Sequence, residues 1–133
     1  MTVGIAPPAG SGPGLQDGQW LLAVAGGQNG SYQNRLIAHA GGTKAAAIQL
    51  AAGVKIFGFA TVATTGDSAL LPAAVAGTVC MVRNAGAQTL NLYGKGTDKI
   101  NGVASATAYT LTTDTGAIFF CAIDGAWTAI KSA

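Results

Sequence analysis

Thr78-Val79-Cys80-Met81-Val82-Arg83, followed by Asn84-Ala85-Gly86-Ala87 and then Gln88-Thr89-Leu90-Asn91-Leu92-Tyr93, is the stretch on which the fold turns. Its first arm is β-branched and apolar. Its second alternates, with Leu90 and Leu92 on one face and Asn91 and Tyr93 on the other, the period of two of a half-buried strand. Asn84 and Gly86 both tolerate positive φ, so the chain can reverse between the arms. The stretch reads as a β-hairpin.

The pattern continues on both sides. Downstream, Gly94 to Asp98 is a turn, Lys99-Ile100-Asn101-Gly102 a second tight feature, and Ala108 to Thr112 a strand. Asp114-Thr115-Gly116 turns the chain into the apolar strand Ala117 to Ile123. Asp124-Gly125 is a common hairpin turn, and Ala126 to Lys131 returns as the last strand. Upstream, Val54 to Thr64 is a strand with Gly58 as a bulge or close contact, and Ser68 to Leu71 is a short strand stopped by Pro72. Thr43 to Leu50 combines helix-favouring Ala45-Ala46-Ala47 with flanking glycines and is assigned to a strand. Arg35 to Ala40 is another. Asp17 to Ala25 is the one helix candidate, with Asp17 as N-cap, Trp20 and Val24 four apart, and Gly26-Gly27 ending the run. Many short strands with little helix predict an all-β sandwich or jelly-roll. It forms a single domain over 17–133, clearest over 54–133, behind an extended arm over 1–16. Leu90, Leu92, Phe119 and Trp127 are the expected core. Prolines 7, 8 and 13 with four glycines make the arm a segment that orders only against something else; Ile5, Pro7, Pro8 and Leu15 of the arm, with Trp20 of the helix candidate, are the expected assembly contacts.

Composition narrows the function. Charged residues are 9% of the 133, against about 25% in an ordinary soluble domain. No apolar run approaches the ~20 residues of a membrane helix. A chain so poor in charge is prone to associate, which points to a subunit that buries much of its surface against copies or partners. The net charge of +2 comes from seven basic residues that do not cluster, so nucleic acid is not an expected partner. Met1-Thr2-Val3-Gly4-Ile5 lacks the basic start and apolar core of a secretory leader, so synthesis and assembly in a cytoplasm are expected.

Catalytic chemistry finds little to work with. There is no glutamate, and Asp17, Asp67, Asp98, Asp114 and Asp124 sit mostly beside glycine or in turn-like contexts. A glycosidase needs two carboxylates in contrasting environments, and a calcium loop needs carboxylates at alternating positions. Cys80 and Cys121 lie inside apolar strands and read as small hydrophobes. His39, the only histidine, reads as a structural or surface residue. No catalytic, cofactor-binding or metal site is expected.

Asp67-Ser68-Ala69-Leu70-Leu71-Pro72, Gly77-Thr78, Asn84-Ala85-Gly86-Ala87, Leu90-Asn91-Leu92-Tyr93, Ile100-Asn101-Gly102 and Asp124-Gly125-Ala126-Trp127 together resemble a module of tailed-bacteriophage structural proteins. Asp17-Gly18-Gln19-Trp20 and Gly26-Gly27-Gln28-Asn29 look like the starts of such proteins. The resemblance implies a multimeric virion component and carries over no active site; with the low charge and the apolar strands it leads to the expectation of a homo-oligomer, a trimer in the first instance. Small size, the arm and low charge favour a capsid decoration, or cement, protein on the outer surface of the virion, with the major capsid protein as partner. A tail, collar or fibre component contacting the host is the alternative; it would use exposed aromatics, for which only Tyr32, Tyr93 and Tyr109 among tyrosines are available.

Overall fold

The computed structural model describes residues 32–132. Contacts divide the chain between Tyr32 and Gln33, and Gln33–Ala133 forms one compact unit. The expected arm, its boundary at residue 16 and the helix over 17–25 lie outside the described residues.

The chain is all-β. Its strands are β1 (Tyr32–Ile37), β2 (Ile48–Gln49), β3 (Ile56–Thr61), β4 (Ser68–Leu70), β5 (Val79–Asn84), β6 (Leu90–Tyr93), β7 (Lys99–Ile100), β8 (Tyr109–Leu111), β9 (Thr115–Ile123) and β10 (Ala126–Lys131). The helical element among the described residues is a single 3-10 turn, Lys44–Ala46, capped by Thr43. This cap, together with the Ala47 N–H bonded to the Lys44 carbonyl, limits the strand expected over 43–50 to the two residues of β2. One sheet runs β1-β3-β5-β9-β10-β7, the other β2-β4-β6-β8.

The expected hairpin at 78–93 is not one. β5 belongs to the six-stranded sheet and β6 to the four-stranded sheet, so the chain turns a corner at Asn84–Gly86 instead of reversing. The same alternation repeats along the chain: β1 and β2, β3 and β4, β5 and β6 each place one strand in each sheet. Successive members pair in parallel, β3 with β5 and β2 with β4 with β6. Ile56 lies opposite Met81, 25 residues on, and Ser68 opposite Asn91, 23 residues on. These are stacked coils, and they replace the antiparallel sandwich or jelly-roll that short, closely spaced strands suggest. Antiparallel strand pairing appears where the stack ends, as β8 returns along β6 and β9 along β5, and an isolated antiparallel bridge joins His39 to Ser68. Asp124-Gly125 does form the expected hairpin, between β9 and β10, with Gly125 at φ 83° and a register shift at Ala126/Trp127.

The corners are held by side chains that reach backbone. Asn84 is fully buried. Its Nδ2 donates to the carbonyls of Gln88 (2.7 Å) and Leu111 (2.9 Å), and its Oδ1 accepts from the Gly86 N–H (2.8 Å). A buried amide is retained when each of its polar atoms is paired. Gly86 packs on the corresponding corner of the coil before it, where a Cβ would stand 2.5 Å from the Val62 nitrogen. At the next corner Tyr93 donates its hydroxyl to the Gly42 carbonyl at 2.8 Å, tying β6 to the first coil.

The core lies between the sheets. Phe57, Phe59, Cys80, Val82, Phe119 and Trp127 enter it from the larger sheet; Ala69, Leu90, Leu92 and Leu111 come from the smaller, with Leu71 just beyond β4. Trp127 and Tyr109 meet Phe119 edge-on, with ring centroids 6.4 Å and 5.4 Å away. The four expected core residues, Leu90, Leu92, Phe119 and Trp127, are all buried here.

Candidate assembly surface

Because β-strand side chains alternate, the residues that bury Phe57, Val82, Ala117 and their neighbours fix what the other face of the six-stranded sheet presents. That face is apolar. Ile56 lies opposite Met81, Met81 opposite Ile118, and Ile118 opposite Ile130, forming one continuous row across β3, β5, β9 and β10. The four are 37, 38, 44 and 60% exposed in that order along the row. Two residues along, Val79 lies opposite Phe120 and extends the patch. In the other direction Arg83 faces Gly116, and with no side chain there the row borders an open groove of about 420 Å³. Arg83 and Asp114 pair at 3.2 Å beside the groove, both well exposed. Such an exposed pair contributes little to stability; it makes a polar rim to an apolar patch.

The groups that could do chemistry are committed elsewhere. Asp67 is buried and accepts from the Thr64 N–H at 3.0 Å. Asp98 accepts from the Ala74 N–H and Asp124 from the Ala76 N–H, each at 2.8 Å. The last two are turn aspartates, as their neighbours suggest, yet each reaches far along the chain to hold the connection between β4 and β5. Asp114 adopts φ 60° at the start of β9. His39 lies on the surface, donating from Nδ1 to the Ala40 carbonyl at 2.7 Å, and its backbone bridges to Ser68. Cys80 and Cys121 are buried free thiols. Burial pushes the Cys80 thiol up to about 12, against a weaker opposite pull from Lys55, which leaves it a poor nucleophile. Among the described residues no cluster of three potential metal ligands forms.

The tyrosines are not assembled into a platform. Tyr93 is buried, Tyr109 packs on Phe119 beneath the Lys131 ammonium, and Tyr32 is exposed. Ile5, Pro7, Pro8, Leu15 and Trp20 fall outside the described residues. Sequence reasoning passed over the row itself, although its signal was present: Met81, Ile118 and Ile130 are apolar at the strand positions between core residues, where a solvated face carries polar side chains. Comparison with known proteins found no matching family model, no similar curated protein and no similar solved structure.

Proposed function

We propose that this chain is a structural protein of a tailed-bacteriophage virion, a capsid decoration protein that assembles as a homotrimer and reinforces the outer shell through the major capsid protein. The observation that carries this reading is the exposed apolar row on a sheet whose polar loop groups are bound internally. Such a surface suits permanent contact better than turnover. The low charge and the phage-like motifs support the same reading, and the role is non-catalytic, without cofactor, metal, nucleic acid or membrane. The two-faced parallel stacking is that of a short β-solenoid, in which each coil contacts its neighbours along one axis. That axial build also favours a second reading, a tail, collar or fibre component, since shafts are made by repeating coils.

Imaging purified virions that carry a tagged copy of the chain decides between the two. Density distributed over the head shell is the expected result. Density confined to the tail or collar transfers the chain to the second reading, and virions purified from cells making the tagged chain that show no tag density anywhere refute both.

A further inference from the structure

We propose that Asn101 is a strand stop: its side-chain amide takes the place of the next strand along β10 and so keeps that edge of the six-stranded sheet from pairing with a second copy of this chain. The inference is independent of the virion reading, since it concerns how the sheet ends.

Along a strand, the backbone groups of alternate residues point to the same edge. Ser132 donates its N–H to the Gly116 carbonyl, on the β9 side, so Trp127, Ala129 and Lys131 direct theirs to the opposite edge. The first of these is covered by β7, which runs parallel to β10 with Ile100 opposite Trp127. The Asn101 N–H then donates to the Trp127 carbonyl at 2.9 Å. There β7 has already ended, while β10 runs on to Lys131. The Asn101 side chain continues the ladder. Its Oδ1 accepts from the Ala129 N–H at 2.9 Å, and its Nδ2 donates to the Ala129 carbonyl at 3.3 Å. A primary amide offers a donor and an acceptor side by side, so it satisfies both groups that Ala129 would present to an incoming strand.

The backbone explains why a strand does not do the same. Asn101 and Gly102 take φ of 52° and 76°, two left-handed residues in succession, which turn the chain away from β10. Asparagine accepts that conformation at less cost than most side-chain-bearing residues, and its side chain fills the position that the departing backbone leaves. What remains of the edge is Lys131. Its ammonium stands 4.9 Å from the centre of the Tyr109 ring, and Ser132 draws the chain back toward β9 by accepting at Oγ from the Gly116 N–H. Unpaired N–H and C=O groups on an edge are a template for a further strand, and a short pairing or a marginal lysine protects against it. The Asn101 amide closes the gap between those two protections.

The occupant that the amide excludes is the same edge of a second copy. Two β10 edges related by a two-fold axis at Ile130 would pair Ala129 of each copy with Lys131 of the other, antiparallel, and set Ile130 against its counterpart. Ile130 is β-branched and 60% exposed, which suits such a cross-strand contact.

The test compares the full-length parent, Asn101→Gly, Ile130→Lys and the double variant. Glycine adopts the left-handed conformation at position 101 without strain, so Asn101→Gly removes the amide and leaves the turn. Light scattering from micromolar to millimolar concentration gives the mass, circular dichroism the fold, and amide exchange the state of the Ala129 N–H. Asn101→Gly should keep a native spectrum, exchange the Ala129 N–H about tenfold faster, and rise with concentration to at least twice the parent's mass. In the double variant two ammonium groups would face each other across the axis, so its mass should return to that of Ile130→Lys alone. An Asn101→Gly protein with the parent's mass at every concentration overturns the proposal, and so does association that Ile130→Lys leaves in place. Equal exchange at Ala129 in parent and Asn101→Gly overturns it as well, because the amide would not then be protecting that group. Association with loss of the native spectrum does the same, because the amide would then hold the fold rather than close its edge.

Discussion

Replacing Asn84 with alanine tests the corner on which the coil architecture depends. The side chain makes three hydrogen bonds, two donated to the carbonyls of Gln88 and Leu111 and one accepted from the Gly86 N–H. Gln88 is exposed, so its carbonyl can turn to water. Gly86 and Leu111 are buried, and their backbone groups would be orphaned. Each buried orphan costs about 1–3 kcal/mol, which places Asn84→Ala at roughly 4 kcal/mol. For a domain of about 100 residues that corresponds to a fall in melting temperature on the order of 16 °C. Asn84→Asp sharpens the test. At pH 7 it keeps the acceptor for Gly86 but turns a carboxylate oxygen toward two carbonyls, so it should be worse than alanine. Its folded-state pKa would be raised, since only the protonated acid can donate, so stability should return as pH falls. Thermal melts of the three proteins at pH 7 and pH 4 provide the comparison. If Asn84→Ala melts within two degrees or so of the parent, or if the aspartate variant gains nothing in acid, the side chain does not hold the corner.

Gly86→Ala should destabilise by more than the ~1 kcal/mol typical of a point change, because the new Cβ would stand 2.5 Å from the Val62 backbone nitrogen; denaturant titration would reveal a tolerant site as a midpoint equal to the parent's. Trp127→Ala should cost about 3–5 kcal/mol. Trp127→Phe should cost less, since among the described residues the buried indole N–H has no partner to lose; equal melting temperatures for parent and alanine variant would mean that Trp127 is not core. The Cys80 thiol ionises at a higher pH folded than unfolded, so its contribution is complete below about pH 9 and is lost as pH rises toward about 12. Tyr109, also raised by burial, adds to the loss in the alkaline range. Melts from pH 8 to 11 should show a decline that is shallower in Cys80→Ala, and identical slopes would contradict the assignment.

Much of the strand inventory was legible because its signals are local. Ala126–Lys131 and the Asp124-Gly125 turn follow from alternation and turn chemistry within a dozen residues, and the burial of Leu90, Leu92, Phe119 and Trp127 follows from the same period of two. The aspartates were legible in kind, as turn residues, but not in reach: nothing near Asp98 or Asp124 says that their partners are Ala74 and Ala76.

Strand partnership was decided by the tertiary structure. A period of two says which side chains share a face, but not which neighbouring strand supplies the hydrogen bonds. Asn84-Ala85-Gly86 carries the same turn residues whether the chain reverses or rounds a corner, and the corner wins because Asn84 finds Leu111, 27 residues away, as its acceptor. Parallel pairing of β3 with β5 is likewise invisible locally, since the two strands meet only after the chain has crossed to the other sheet and back. The status of Ile56, Met81, Ile118 and Ile130 has the same origin. In sequence each is one apolar residue in an apolar strand, and only the register of four strands, set by backbone hydrogen bonds between distant segments, lines them up as a single exposed row.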